Sequence, residues 1–237
     1  MTTNLLEHRY GENVIVFDSL HLNTLLTELS SKDTFQPQIN RIVRRLYSSL
    51  FSLILDRKNG DKDVTVDTRM ATFTPKGTLQ TKVLDDQARW VIVDLARAGM
   101  IPSEVCFDEA NEVLDPTRSR IDHVFINRKV DENERVVGTD VSGNKIGGDV
   151  EDALLLFPDP MGATGSSIAD AIGIYRDEVE GTPRKVICVH LIITPEYLRR
   201  ITTDFPDVAV YALRVDRGLS EEEVLAAIPG ERWDEEK

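Results

Sequence analysis

The chain has 237 residues, room for one large domain or two small ones, and a body of that size hides on the order of 70% of its unfolded surface without disulfide staples. Apolar residues make up 41% and charged residues 29%, a globular balance rather than a disordered one. The 41 acids against 28 Lys plus Arg give a formal net charge of −13, which disfavours nucleic-acid and membrane-surface partners and leaves open one local basic pocket for a small phosphorylated ligand.

The first residues lack the basic stretch and long apolar region of a secretion signal. Leu20, Leu22, Leu25, Leu26 and Leu29 predict a short amphipathic helix, interrupted by the polar cluster Ser30–Asp33. Ile39, Ile42, Val43, Leu46, Leu50, Phe51 and Ile54 predict a longer one, with Arg41, Arg44 and Arg45 off the apolar stripe as a solvated face. Residues 1–60 are therefore expected to form a helical arm, ended by the polar turn Asn59–Asp63.

From about residue 65 short apolar runs alternate with helical stretches. Val91–Leu95, Ala153–Phe157, Val186–Ile193 and Val208–Leu213 predict buried strands. Near-continuous apolar strands between helices imply an α/β fold with a parallel sheet covered on both faces. Arg120–Gly148, with turn-prone Ser142-Gly143-Asn144 and Gly147-Gly148, predicts an exposed β-hairpin excursion. Thr194 before Pro195 predicts a capped helix start, and Ser220 with Glu223 has capping-box spacing for a C-terminal helix and tail over 220–237. No repeat, low-complexity tract or linker divides the chain, so a single domain is expected, with its α/β core over 65–219. Cys106 and Cys188 have no Cys or His at metal-ligand spacing and are read as reduced thiols. The longest strongly apolar run, near 186–194, is too short to cross a bilayer, and a cytoplasmic protein is expected.

The chemistry concentrates in Asp159-Pro160-Met161-Gly162-Ala163-Thr164-Gly165-Ser166-Ser167, between an apolar strand and the helical pattern Ile168, Ala171, Ile172, Tyr175. In an open parallel sheet ligands gather at the carboxyl ends of strands. A small-residue loop there brings backbone N–H groups close to an oxyanion, and the following helix adds its positive dipole end. Asp159 cannot bind phosphate but can accept hydrogen bonds from sugar hydroxyls. An acid before a phosphate cradle suggests a phosphorylated sugar, and the missing Gly-Lys-Ser/Thr excludes a Walker loop.

This nonapeptide closely resembles the Asp-Pro-Met-Leu-Ala-Thr-Gly-Gly-Ser signature of uracil phosphoribosyltransferases, with Gly162 for Leu and Ser166 for Gly, so that seven of nine positions agree. Arg97-Ala98-Gly99 resembles the family's pyrophosphate loop, Arg128 stands where the family has an arginine between the two loops, and Val215-Asp216-Arg217-Gly218-Leu219 resembles its Ile-Asp-x-Gly-Leu segment. The resemblance implies a type I phosphoribosyltransferase fold and the reaction of uracil with 5-phosphoribosyl 1-diphosphate to UMP and pyrophosphate, in pyrimidine salvage. It further implies Arg97, Arg128 and Asp159 as catalytic residues. Residues 97–99, Arg128, 159–167 and Asp216 are the implied substrate contacts, Mg²⁺ arrives on the substrate's pyrophosphate, and the assembly is a homodimer or higher homo-oligomer. After Leu219 the family's base-reading pattern gives way to a Glu-rich helix pattern, so the resemblance assigns no base-binding residue. Transfer to another base, or a non-catalytic regulator binding phosphoribosyl diphosphate or nucleotide, are the alternatives. His190, in an apolar strand, is expected to be a satisfied core residue, and His8, His21 and His123 share no ligand spacing with it.

Overall fold

The computed structural model describes residues 4–130, 136–218 and 228–230, without the side chains of residues 128–130 and 136–140. The first half of the chain runs β1 (Asn4–Leu5), β2 (Val14–Asp18), α1 (Leu20–Leu29), α2 (Gln38–Lys58), β3 (Asp61–Asp67), β4 (Thr78–Leu84), β5 (Trp90–Ala96) and α3 (Met100–Val113). The hairpin strands β6 (Ser119–Val130) and β7 (Val136–Lys145) follow. Then come β8 (Leu154–Pro158), β9 (Met161–Gly162), α4 (Ser166–Asp177), β10 (Lys185–Val189), β11 (Ile192–Ile193), α5 (Pro195–Asp204), β12 (Ala209–Ala212) and β13 (Arg214–Val215).

Eight strands form the main sheet in the order β1-β2-β12-β10-β8-β5-β6-β7. The six inner strands are parallel, and β1 and β7 close the edges antiparallel. Strand β8 explains the continuous apolar run: Leu154 and Leu156 pack towards α1, α2 and α3, while Leu155 and Phe157 pack towards α4 and α5. Both faces are covered, so no position along the strand can be polar without losing burial, about 1.5–3 kcal/mol per large side chain. Trp90, Phe51, Tyr47 and Phe17 fill the first core. Tyr175 and Tyr197 belong to the second.

Helices α1 and α2 match the leucine and isoleucine stripes, and Arg41, Arg44 and Arg45 lie exposed. Three expectations change. Residues 1–60 are not helical throughout, because Val14–Asp18 enter the main sheet beside β12. The excursion Arg120–Gly148 is only partly an excursion: the first half of β6 pairs with β5 from Trp90↔Ser119 to Ala96↔Phe125, and only then does it continue as a hairpin with β7. The run Val186–Ile193 is two strands, since the chain leaves the main sheet at His190 and Ile192–Ile193 join a small sheet ordered β13-β11-β9. A separate hairpin of β3 and β4 stands apart from both sheets. The C-terminal helix expected over 220–237 falls almost wholly outside the described residues.

Buried Asp122 ties β6 to its surroundings. Its carboxylate accepts from Arg120 Nε at 3.0 Å, from Tyr175 Oη at 2.8 Å and from the Gly147 N–H at 2.9 Å. That network ties β6 to the last turn of α4 and to the segment that follows β7.

Candidate active site

Asp159 leaves β8 with its N–H donated to the Val189 carbonyl and its Oδ1 accepting the Met161 N–H at 2.9 Å. The chain then pairs with β11, through Ile192↔Met161 and Ile193↔Gly162, before Gly165 turns it into α4 with φ of 76°. A side chain at Gly165 would be strained by that φ and would meet Arg200 Cδ at 3.2 Å.

Helix α5 and the turn before it hold this loop by its carbonyls. The Thr194 N–H donates to Gly162 O at 3.0 Å, Thr194 Oγ1 donates to Ala163 O at 2.6 Å, and Arg200 Nη1 reaches Thr164 O at 3.4 Å. In a trans peptide the C=O of one residue and the N–H of the next point in opposite directions. With three successive carbonyls turned towards α5, the N–H groups of Ala163, Thr164 and Gly165 are turned away from it. The half-open hollow on this loop is lined by Asp159, residues 161–168 and Tyr197. The hydroxyls of Thr164 and Ser166 lie 3.3 Å apart, and Arg200 Nη1 donates to Ser166 Oγ at 2.5 Å. The amino end of α4, the outward amides, the hydroxyls and a nearby guanidinium together suit an anion.

The neighbouring strand supplies the second loop. Arg97 and Ala98 are exposed beyond β5, Gly99 is buried, and the Ala96–Arg97 peptide is cis. Gly99 approaches the end of β8 so closely that a Cβ would lie 3.0 Å from the Pro158 carbonyl and 2.8 Å from Leu95 N. The two loops therefore leave adjacent parallel strands and touch at their roots. Asp216 arrives through the small sheet: β13 pairs with β11, and the Asp216 N–H donates to Ile193 O at 2.8 Å. Arg128 lies on the hairpin beyond the end of β5, its backbone opposite Thr139, and its side chain falls outside the described residues.

Among the described residues no three His, Cys, Asp or Glu side chains converge on a point that could hold a metal ion. Asp159 is the one carboxylate in the hollow's lining, so a hard cation there would be shared between it and the oxygens of an anionic ligand. Both cysteines are buried and free, and burial pushes the Cys188 thiol up to about 12, which leaves no thiolate nucleophile among them at neutral pH. A roomier hollow at the amino ends of β8 and β10 carries Arg176, Arg184 and Lys185. Those cations are already engaged, Arg176 with Asp207 at 2.6 Å, Arg184 with Asp152 at 2.7 Å and Lys185 with the Asp207 carbonyl at 2.6 Å. The loop after β8 is therefore the candidate site. No described helix is long and apolar enough to cross a membrane.

A family model described as uracil phosphoribosyltransferase matches residues 16–231. The chain belongs to the uracil phosphoribosyltransferase family. It is thus a phosphoribosyltransferase, an enzyme that transfers a pentosyl group. It is similar to the uracil phosphoribosyltransferase of Dictyoglomus thermophilum, 27% identical over 218 residues, which are 92% of this chain and 94% of that one. A match to the Campylobacter curvus enzyme is 32% identical over 98 residues, 41% of this chain and 45% of that one. The AQ2163 protein from Aquifex aeolicus has a similar solved structure, with a TM-score of 0.66 at 20% identity over 86% of this chain and 87% of that one. Adenine phosphoribosyl transferase from Trypanosoma brucei superposes with a TM-score of 0.53 at 12% identity over 93% and 90%. The fold is that of the type I phosphoribosyltransferases.

As a uracil phosphoribosyltransferase family member, the chain has a loop support that its sequence did not announce. Thr194 was legible only as a helix cap, which it is, accepting the Tyr197 N–H at 3.2 Å. Its second role, closing on Ala163, depends on β11 lying beside β9. His190 is a satisfied core residue, with both ring nitrogens hydrogen-bonded. Tyr197 and Arg200 carry no motif, and no local signal links them to the loop.

Proposed function

We propose that this family member transfers the 5-phosphoribosyl group of 5-phosphoribosyl 1-diphosphate to uracil, releasing pyrophosphate and giving UMP. N1 of uracil forms the new bond to C1 of the ribose as the bond from C1 to the diphosphate oxygen breaks, and the N1 proton leaves with the pyrophosphate. The observation that carries this reading is the contact between the two loops: the anion cradle after β8 and the Arg97-Ala98-Gly99 turn meet at the ends of adjacent strands.

In this reading residues 163–167 take the 5′-phosphate through amides, hydroxyls and the α4 amino end. Asp159 takes the ribose hydroxyls and sets a negative charge near the cation that develops on the ribose. Met161, Pro160 and Gly162 shape the wall between them, and Asp216 closes the far side. Arg97, the Ala98 and Gly99 backbone, and Arg128 receive the leaving diphosphate, where removal of one placed donor costs about 2.7–4 kcal/mol of transition-state stabilisation. Mg²⁺ carried in by the diphosphate, with Asp159 beside it, would neutralise charge on the leaving group. The same reading includes a cytoplasmic role in pyrimidine salvage and a homodimer, the latter supported by exposed Met70 and Phe73 between β3 and β4.

The test is UMP formation from uracil, phosphoribosyl diphosphate and Mg²⁺, with adenine, hypoxanthine and cytosine run in parallel. UMP alone is the expected product. Product from another base alone would keep the transferase and replace its acceptor. Tight binding of phosphoribosyl diphosphate without turnover on any base would favour a regulator.

A further inference from the structure

His190 follows β10 and is fully enclosed. Its ring has partners at both ends: Nδ1 lies 2.6 Å from the Asp159 carbonyl oxygen and Nε2 lies 2.6 Å from Tyr197 Oη. A carbonyl oxygen only accepts, so Nδ1 carries the hydrogen and the Tyr197 hydroxyl donates to Nε2. A single neutral tautomer satisfies both ends. Burial pushes the ring down to about 4, which keeps it neutral at pH 7.

The Tyr197 ring stands edge-on to His190, with centroids 4.6 Å apart, and lies directly beneath Gly162. A Cβ at Gly162 would sit 2.9 Å from Tyr197 Cγ and Cδ2. The leucine found at this point of the family signature therefore has no room here. The space is filled from below by a ring on α5 instead of from above by the loop's own side chain.

We propose that Tyr197 and His190 are positioning residues for phosphoribosyl transfer, holding the Asp159 backbone and the floor of the cradle from beneath in place of the side chain that Gly162 lacks. The proposal rests on the cradle being the phosphoribosyl site. Removing the Tyr197 hydroxyl leaves Nε2 a buried acceptor without its donor, so the ring that holds the Asp159 carbonyl is anchored at one end only. A ring held at one end lets the Asp159 backbone shift, and with it the carboxylate of the same residue. A misplacement of about 1 Å can cost on the order of 100-fold at a site of this kind.

The experiment combines steady-state kinetics with calorimetric titration of phosphoribosyl diphosphate on the whole chain. Tyr197→Phe keeps the ring and should fold, as checked by circular dichroism, yet raise the KM and Kd for phosphoribosyl diphosphate roughly tenfold while the KM for uracil stays put. Gly162→Leu and Tyr197→Ala should each weaken that ligand by about tenfold or more, and the double variant should bind better than either single one. Wild-type constants in Tyr197→Phe, or a double variant as weak as the product of the singles, would overturn the positioning role while wild-type binding upheld the site. A wild-type chain that binds no phosphoribosyl diphosphate would overturn both.

Discussion

Asp159 has one carboxylate oxygen already committed to the Met161 N–H, which orients the group without neutralising it. Asn at this position can still accept that N–H through its own Oδ1 but loses the charge. Asp159→Asn should therefore leave thermal stability nearly unchanged and lower kcat/KM for phosphoribosyl diphosphate roughly 10- to 100-fold, the range for a charged hydrogen bond made neutral. Equal kinetics in the two proteins would remove Asp159 from the chemistry. His190 makes a prediction of a different kind. Its folded pKa is about 4 against the usual 6.5, so between those values the unfolded chain binds the extra proton. Its contribution is complete above 6.5 and is lost as the pH falls through 4, about 3 kcal/mol over the window. His8, half-buried, is shifted the same way by desolvation. Melting temperature should thus decline from pH 7 towards pH 4.5 in the wild type and decline less steeply in His190→Asn. Identical slopes would show that the buried ring is not what titrates.

At the scale of elements, the Arg97-Ala98-Gly99 turn was visible only through its family resemblance, and the loop after β8 because it is a contiguous string of small and hydroxyl-bearing residues. Strand β8, with its apolar run, and Thr194-Pro195 were legible as contiguous strings too. What escaped depends on partners far along the chain. Val14–Asp18 are a sheet strand only because Ala209–Ala212 lie beside them. β3 alternates Val64 and Val66 with polar residues, but Val66, Leu79 and Val83 are exposed, so no core face marks the hairpin. His190 looked like a strand residue because the apolar pattern runs on past the point where the chain changes sheets. The support of Gly162 by Tyr197 has no local trace in either segment. Gly99 joins the two classes, since its place in the motif was visible and its steric reason was not. Gly99→Ala sets a methyl against the backbone of Leu95 and Pro158, atoms that cannot move without disturbing β5 and β8. It should cost about 1–3 kcal/mol in urea unfolding and weaken pyrophosphate binding, whereas an unchanged midpoint would mean that the loop relaxes freely.

Over the whole molecule, the charge of −13 makes self-association costly unless apolar surface opposes it. The β3–β4 hairpin offers such surface, since Phe73 is 81% exposed and Met70 56%. If the homodimer uses it, Phe73→Asp should shift sedimentation from dimer to monomer, with the effect greatest at low salt; an unaltered dimer would place the contact elsewhere. One feature of the main sheet also bears on how the protein is made. β2 is translated early and β12 late, yet they are neighbours, and the small sheet under the cradle likewise waits for β11 and β13. During synthesis β2 emerges from the ribosome with an open edge and no partner, exposed to pairing with other chains. Such long-range pairing slows folding, and the anion cradle gains its support only after most of the sheet has been translated. A nascent chain stalled before α5 and its cap would thus carry the whole candidate loop and still lack the Thr194, Tyr197 and Arg200 contacts made to it.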